Sequence, residues 1–579
     1  MLDKLTAWAD PIINRTFRLS VPPLLATPNV VVAYKHLALF GAFTLMGAVL
    51  VWPIFGSDYP PGVDTATFLH LSWVTKLAAS GQLADPFQDP YWYGGFSYLV
   101  AYPPLGYGLV GILSFVTRLD LITEYTVVLV LSFGGLSTAT FWLSVEMGLH
   151  KWTAAFTGVM VALSYPVLSS IFLWGWFTSV MALPFGLVSI LLLERSLRRG
   201  AWRPAAWGGV LMAVCILIHH MTGLSLGLGL VGWFLYITAT RMYPWQRVAR
   251  HSAIFVGVTA ASVAPWGIPF MIHALDVGFR REFPGLWTPN LTIYRTYIVD
   301  SSLIGEFMYP SYLGITMLVL STGGVVYALV ERKRLAGMAV LLLVLGWFSM
   351  GASYNPLIKV YPFSGLDVAR FHLFMVPFMA ILGGLLFERV FGLLREQWPN
   401  LSRWLSPKYS QPLWYATVVG LLALILVFPS IEAGKAREFM GAYEVEEPVS
   451  EAIDWLARQP SAGDRSADGP IYTVGLWNWD AFIIPYLADR PLIDGWHDEG
   501  AHDVEKIREL RIMGWTGQVD IRRAHQLLSE LGAGVVLVNR ESYYQAESAN
   551  VFWNEIEAHP EWFEKQDQWD DVAVYRVLP

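Results

Sequence analysis

The sequence predicts a polytopic α-helical membrane protein with an α/β domain at its C-terminal end. Of its 579 residues, 55% are hydrophobic and 15% are charged, and twelve apolar runs are long enough, or nearly so, to cross a bilayer. The charge is uneven: residues 431–579 carry 28 acidic and 13 basic side chains, a net charge of −15, whereas the preceding part carries +8. This acidic balance argues against nucleic acid as a partner.

The membrane part is predicted to extend over residues 33–430, after a cytoplasmic or interfacial segment at 1–32. Basic clusters recur at alternate loops, and the positive-inside rule then puts the N-terminus in the cytoplasm and the first loop, residues 56–97, outside a plasma membrane. The twelve apolar runs lie near 33–55, 97–117, 124–147, 152–169, 171–194, 204–219, 221–240, 252–274, 311–331, 335–351, 371–391 and 411–430.

One of these runs conflicts with the loop charges. Four runs separate the external first loop from the basic loop at residue 195, although an odd number is required. Pro166 and the sequence Trp174-Gly175-Trp176 interrupt the pattern between 152 and 194, which indicates a re-entrant or surface-lying piece there. We therefore expect 11 to 13 crossings and a C-terminal domain outside the cell.

Residues 431–579 have the pattern of a soluble, extracytoplasmic α/β domain. Helices are predicted at 448–458 with Ser450 as the N-cap, at 503–513 and at 520–531, and strands at 470–474, 534–538 and 572–577. A loop in this domain contains His497, Asp498, Glu499, His502 and Asp503. These residues are either a divalent metal site or a cluster of solvated charges, and their spacing defines no clear ligand set. No cofactor is predicted with certainty.

Asp64 is the candidate catalytic residue, because it lies in the external loop just before a predicted surface helix at 65–80. The apolar side of that helix is expected to face lipid through Phe68, Leu71, Trp73 and Leu77. An aspartate here is either a helix N-cap or a general base that the positive helix end keeps ionised. Asp58 is a metal or acceptor contact, or an interfacial charge.

Candidate substrate-binding residues follow at the outer ends of several runs. Adjacent imidazoles at His219 and His220 are costly at membrane depth unless they pair or face a wet cavity. Arg370, at the top of a late span, is a snorkelling anchor or a phosphate ligand oriented by Asp367. Tryptophans near the membrane surface suit sugar stacking, although interfacial anchoring is the commoner role. The remaining candidates are His70, Trp174, Trp176, Arg280 and His372.

Together these features resemble the GT-C superfamily of membrane glycosyltransferases. The resemblance rests on Asp64, the helix after it, Gly94-Gly95 with Tyr102-Pro103-Pro104-Leu105, and Arg370-Phe371. With His-His-Met-Thr at 219–222, the chain looks most like prokaryotic membrane proteins labelled 6-pyruvoyl-tetrahydropterin synthase-related, although nothing indicates pterin chemistry. The resemblance implies that Asp64 is the catalytic acid/base and that Arg370 suits the donor phosphate.

Two departures from the superfamily pattern narrow the kind of transfer reaction that we expect. Thr65, rather than a second acidic residue, follows Asp64, which puts a metal-dependent variant in doubt. Trp477-Asn478-Trp479-Asp480 only approximates the oligosaccharyltransferase signature, so transfer to asparagine is not predicted. The predicted function is transfer of a sugar from a polyprenyl-phosphate donor in the membrane lipid to an unknown acceptor at the outer face. The rival is a non-catalytic membrane scaffold or assembly subunit that presents the C-terminal domain.

Overall fold

Most of the chain is helical. The computed structural model describes residues 28–55, 57, 60–62, 64–277, 312–331, 333–350, 354–360, 363, 368–403, 407–438, 445–459, 469–476, 478–495, 503–541 and 546–579. The helices of the membrane part are α1 (Pro28–Leu50), α2 (Thr65–Ala79), α3 (Tyr98–Ala101), α4 (Leu105–Thr117), α5 (Leu121–Glu146), α6 (Lys151–Ala162), α7 (Tyr165–Phe172), α8 (Phe177–Arg199), α9 (Trp202–Ile218), α10 (His220–Ala239), α11 (Trp245–Val277), α12 (Ile315–Glu331), α13 (Lys333–Ser349), α14 (Phe371–Leu401) and α15 (Pro407–Glu438).

Within the described part of the chain, seven helices are long and apolar enough to span a membrane, counting α6 and α7 together, and five apolar helices are shorter. Each of the twelve predicted runs overlaps one of these helices, which confirms a polytopic helical membrane protein. The number of crossings and their direction stay predictions. The last helix, α15, continues past residue 430 to Glu438.

The predicted interruption between residues 152 and 194 is present. Helix α6 ends at Ala162, and α7 begins at Tyr165 with Pro166 in its first turn, where a missing N–H costs nothing. Gly175, with a φ of +66°, then turns the chain into α8 because glycine adopts this left-handed conformation without strain. The turn at 173–176 carries two tryptophans to the start of α8.

Helix α8 lies at the centre of the bundle, packed against α5 and α9. Its far end is fixed by buried carboxylates: Glu146 pairs with Arg195 and Arg198, and Glu194 accepts from Arg334 at 2.6 Å. Paired charges of this kind are costly to break because one partner would stay buried alone. These pairs at the C-terminal end of α8 hold α5, α8 and α13 in one arrangement. They therefore also fix the position of the N-terminal end of α8.

The C-terminal part is an α/β unit around one sheet. Its strands β1 (Ile471–Val474), β2 (Val535–Asn539), β3 (Phe563–Trp569) and β4 (Val572–Val577) form the order β1-β2-β4-β3, with β1 and β2 parallel and the other pairs antiparallel. Its helices are α16 (Glu447–Arg458), α17 (Asn478–Ala488), α18 (Val504–Thr516), α19 (Ile521–Glu530) and α20 (Ala546–Ala558). Every helix and strand predicted here is present, whereas α17, α20 and β3 were not predicted.

Two local predictions are wrong. Ser450 is not an N-cap, because α16 starts earlier, at Glu447, with Pro448 in the first turn where proline is favoured. Helix α2 does not turn its apolar side to lipid. Phe68 and Leu71 are buried, and Trp73 packs against Tyr486 of α17. Protein covers this face, since α2 packs between α4 and α17.

Candidate functional site

Backbone packing fixes the position of Asp64. A Cβ atom on Gly62 would lie 2.3 Å from the Gly175 nitrogen, and one on Gly175 would lie 2.4 Å from Thr65 Oγ1. The Asp64 N–H donates to the Trp174 carbonyl at 2.8 Å. The first loop and the α7–α8 turn therefore touch main chain to main chain, which only glycine at both positions allows.

The carboxylate of Asp64 does not cap its helix. Asp64 occupies the N-cap position of α2, but its side chain makes no capping hydrogen bond. Its Oδ2 instead accepts from Arg370 Nη2 at 2.6 Å, and the two side chains are 16% and 13% exposed. The geometry of Asp64 therefore does not support the explanation that its side chain is a helix cap. The ion pair is shielded but reachable.

Arg370 is held on several sides at the start of α14. Its Nη1 lies 3.3 Å from Ser179 Oγ and 3.3 Å from His219 Nε2. Its guanidinium also lies over the Trp176 ring, 4.7 Å from the centroid, a stacking geometry that suits arginine better than lysine. The guanidinium plane is therefore fixed before any ligand arrives.

His219 faces hydrogen-bond donors on both ring nitrogens. The Thr222 N–H donates to Nδ1 at 3.2 Å, which caps α10, while Nε2 faces Arg370. Thr222 Oγ1 and Ser179 Oγ also lie near Nδ1, at 2.8 and 3.2 Å. The Arg370 N–H finds an acceptor here when Nε2 carries no hydrogen, and the Thr222 and Ser179 hydroxyls can donate to Nδ1 or accept from it. His219 is 1% exposed and supports Arg370 from behind.

His220 lies beside this cluster, in an aromatic group. Its ring is 6.1 Å from Tyr102, 6.5 Å from Trp266 and 5.9 Å from Phe270. Tyr102 itself reaches Thr178 Oγ1 at 3.4 Å. The ion pair therefore has an aromatic border that leads from α3 to the second half of α11.

The structure brings together four of the residues predicted from sequence, and adds others. Asp64, Arg370, His219 and Trp176 are in one cluster, with His220 and Trp174 next to it; Trp174 stacks on Trp176 at 5.4 Å. Sequence reasoning missed Ser179, Tyr102 and Thr178. Ser179 had one detectable signal: it lies in the first turn of the helix that starts after the Gly175 break.

Other candidates lie elsewhere. His70 is fully buried and bonded to Asp89, and His372 is buried with its Nδ1 3.0 Å from the Ala369 carbonyl. Asp58, Arg280 and Asp367 lie outside the described residues, as do His497, Asp498, Glu499 and His502 of the possible metal loop.

No metal-ligand group is found in the part of the chain that the structure describes, where no three His, Cys, Asp or Glu side chains converge. The surroundings of Asp64 explain why this residue alone is a poor cation ligand. Among the described residues its neighbour is the Arg370 guanidinium, and the next side chains are indole, hydroxyl and imidazole. A hard divalent cation prefers several oxygen ligands, which these groups do not supply.

Comparisons with known proteins find matches by structure but not by sequence. No protein-family model and no curated protein matches the chain. Solved structures do match. The oligosaccharyltransferase AglB from Archaeoglobus fulgidus, in complex with an inhibitory peptide and a dolichol-phosphate, superposes with a TM-score of 0.58 at 14% identity, over 92% of this chain and 73% of that chain.

Two further structures show the same architecture. The arabinofuranosyltransferase AftD from Mycobacteria matches with a TM-score of 0.57 at 16% identity, over 93% of this chain and 40% of that chain. ArnT from Cupriavidus metallidurans, bound to undecaprenyl phosphate, matches with a TM-score of 0.54 at 16% identity, over 93% and 97% of the two chains. All three belong to the GT-C superfamily. This chain has a GT-C-type fold.

The GT-C fold confirms the architecture predicted from the sequence. The narrower likeness to the pterin synthase-related membrane proteins stays a prediction. At these identities the likeness concerns the fold, so the activity has to be argued from the residues around Asp64 and Arg370.

Proposed function

We propose that this GT-C protein transfers a sugar from a polyprenyl-phosphate donor to an acceptor at the outer face of the membrane. The observation that carries the proposal is the contact between Asp64 and Arg370, at 2.6 Å and partly open to solvent. One group can take a proton from an acceptor and the other can hold a departing phosphate. Transfer from a lipid phosphate needs a base and a phosphate-binding group close to the same sugar carbon.

Asp64 acts as the general base. Its carboxylate takes the proton of the acceptor hydroxyl while that oxygen attacks the anomeric carbon of the donor sugar. The bond between this carbon and the phosphate oxygen breaks, and its electron pair leaves with the polyprenyl phosphate. The sugar carries positive charge in the transition state, which the nearby carboxylate stabilises.

Arg370 receives the leaving phosphate. Its guanidinium offers a planar set of donors and a permanent charge, and Trp176, Ser179 and His219 fix its orientation. Pre-positioned charge of this kind lowers the barrier because it needs no rearrangement as the phosphate departs. As phosphate binds, Arg370 shares its charge between Asp64 and the donor, which frees the carboxylate for the proton.

Two comparisons support a lipid-phosphate donor. AglB was seen with a dolichol-phosphate and ArnT with undecaprenyl phosphate, and both share the fold. The loop charges support the orientation proposed here, with the N-terminus in the cytoplasm and Asp64, Arg370 and the C-terminal domain outside a plasma membrane. A lipid-held donor is also confined to two dimensions, so positioning contributes to the rate.

The test is a donor screen. The full chain in lipid nanodiscs would be incubated with radiolabelled undecaprenyl-phosphate pentoses and hexoses, with a cell-envelope glycan extract as the acceptor source. We expect one donor class to release undecaprenyl phosphate only when protein and extract are both present. No release from any donor, together with no binding of undecaprenyl phosphate, would favour the scaffold hypothesis.

A further inference from the structure

The first loop, residues 56–97, is joined to the C-terminal α/β unit through isolated β-bridges beside its sheet. Leu492 pairs with Ile471 of β1 on one side and with Trp92 of the loop on the other. Its N–H donates to the Tyr91 carbonyl at 2.6 Å, and the Tyr91 hydroxyl donates to Asp489 Oδ1 at 2.7 Å. The loop is thus hydrogen-bonded to the segment beside β1, in a domain almost 400 residues away in sequence.

A buried imidazole–carboxylate hydrogen bond fastens the same loop to helix α2. His70 Nε2 lies 2.6 Å from Asp89 Oδ2, and both side chains are 0% exposed. The His70 ring stacks on Trp92, with centroids 4.0 Å apart and planes 8° from parallel. Asp89 is held further, since Oδ1 accepts the Tyr91 N–H at 2.8 Å and its backbone exchanges two hydrogen bonds with Phe96.

These contacts form a chain from the soluble domain to the helix that follows Asp64. Leu492 holds Tyr91 and Trp92, Asp89 and Trp92 hold His70, and His70 lies six residues along α2 from Asp64. At a rise of 1.5 Å per residue, that separation is about 9 Å of helix. A short helix is stiff over this distance, so movement at His70 displaces the carboxylate.

We propose that His70 is a positioning residue: its pair with Asp89 transmits docking of the C-terminal domain to α2 and sets Asp64 against Arg370. The soluble domain is then part of the catalytic unit. The effect on transfer rests on the proposed function, whereas the docking itself does not. His70 touches no substrate in this role, because Trp92 covers its ring.

Removal of the imidazole at position 70 is expected to weaken the contact between the first loop and α2. His70→Phe keeps an aromatic ring against Trp92 but leaves the Asp89 carboxylate buried without its imidazole partner, which is costly. Amide exchange of peptides covering 65–79 and 490–495 should accelerate about 10- to 100-fold, the range expected for loss of a buried hydrogen bond to a charged group. His70→Gln offers a donor near the Nε2 position and should restore most of the protection.

The transfer rate separates positioning from binding. In His70→Phe, kcat with the active donor of the screen should fall at least about tenfold while its KM stays within about twofold, because the donor contacts are untouched. His559→Phe is the matched control. His559 also stacks on an indole, Trp562, and pairs with a carboxylate, Glu561, but its side chain is 32% exposed. Its loss should change neither readout.

A second variant covers the case in which His70→Phe does not fold. Tyr91→Phe removes the hydroxyl that donates to Asp489 and keeps the ring, so amide exchange at 490–495 should rise about threefold and kcat should fall, as in His70→Phe. Unchanged exchange at 65–79 and 490–495 in either folded variant would overturn the proposal. If amide exchange at these peptides rises but Asp64→Asn still transfers sugar, the contact between the loop, α2 and the C-terminal domain is supported and the proposed function is wrong.

Discussion

Asp64 and Arg370 meet at 2.6 Å although 306 residues separate them in the chain. One side chain comes from the loop before α2 and the other from the start of α14, so the contact exists only in the folded bundle. It joins an acid and a base at a point that protein shields only in part. The chemistry proposed for this protein depends on that contact.

Arg370→Lys should behave as a loss of function rather than a conservative change. An ammonium keeps the charge, but it cannot contact Asp64, Ser179 and His219 together while stacking on Trp176. We expect affinity for undecaprenyl phosphate to fall by about 1.5–3 kcal/mol, the usual range for a lost hydrogen bond to a charged group. Native mass spectrometry of nanodisc-extracted protein would measure the bound fraction.

Arg370→Gln serves as the comparison for that experiment, since it removes both the positive charge and the planar set of guanidinium donors. Binding should be weaker still in this variant. Equal binding by wild type, Arg370→Lys and Arg370→Gln would show that another group holds the phosphate, and the assignment of Arg370 would be wrong.

Gly175→Ala should destabilise the site strongly. Its φ of +66° disfavours a side chain, and a Cβ would lie 2.4 Å from Thr65 Oγ1 and 2.6 Å from the Thr65 nitrogen. We expect a loss of about 2–4 kcal/mol from backbone strain and overpacking together. Gly81→Ala is the control, because Gly81 has a φ of +73° and nothing within 4 Å, so its cost should be about 1–2 kcal/mol. Thermal unfolding of both variants would show whether the contact with the first loop matters.

A chelator should leave transfer unaffected. Among the described residues, Asp64 is a single carboxylate that already has a guanidinium partner, and its other neighbours there are weak ligands for hard cations. EDTA followed by Mg²⁺ or Mn²⁺ addition should therefore neither abolish nor stimulate release of undecaprenyl phosphate. Loss with EDTA and recovery with Mn²⁺ would indicate a metal site completed by residues outside the described ranges, with Asp58 and Asp367 as the first to test.

Stability should decline in acid in a way that depends on Asp120. Burial acts to raise the pKa of Asp120, but hydrogen bonds from the Thr123 hydroxyl and N–H outweigh it and hold the pKa below its ordinary value. A depressed pKa in the folded state stabilises the protein above the unfolded pKa of about 3.9, and this contribution is lost as pH falls through the folded value.

Asp120→Asn tests this linkage, since asparagine still caps helix α5 but does not titrate. The difference in unfolding midpoint between wild type and variant should be constant near neutral pH and shrink below about pH 4. A difference that does not change with pH would mean that Asp120 contributes only as a neutral cap.

The sequence was sufficient for the fold class because long apolar runs and basic loops report on membrane helices directly. It pointed to Asp64 and Arg370 because both stand at ends of such runs, and the structure places their side chains in contact; their roles in transfer stay predictions. The surface helix at 65–80 was misjudged for a physical reason. Its apolar side has the same pattern whether it meets lipid or protein, and only the docked C-terminal domain decides between them.

Long-range partners were the part that local patterns could not supply. Nothing near His70 in the sequence signals Asp89, and nothing near Tyr91 signals Leu492 or Asp489. Ser179 likewise becomes a site residue only because Arg370 reaches it from α14. Contacts of this kind arise from packing between distant segments, which residue spacing does not encode.

The most direct test of the account is Asp64→Asn, compared with wild type in two assays on the same nanodisc preparation. Asparagine keeps the size of the side chain but cannot take the acceptor proton, so release of undecaprenyl phosphate from the active donor should fall to background. Binding of undecaprenyl phosphate should be retained or increase, because Arg370 loses the anion that competes for it. Full transfer activity in Asp64→Asn would contradict the central claim.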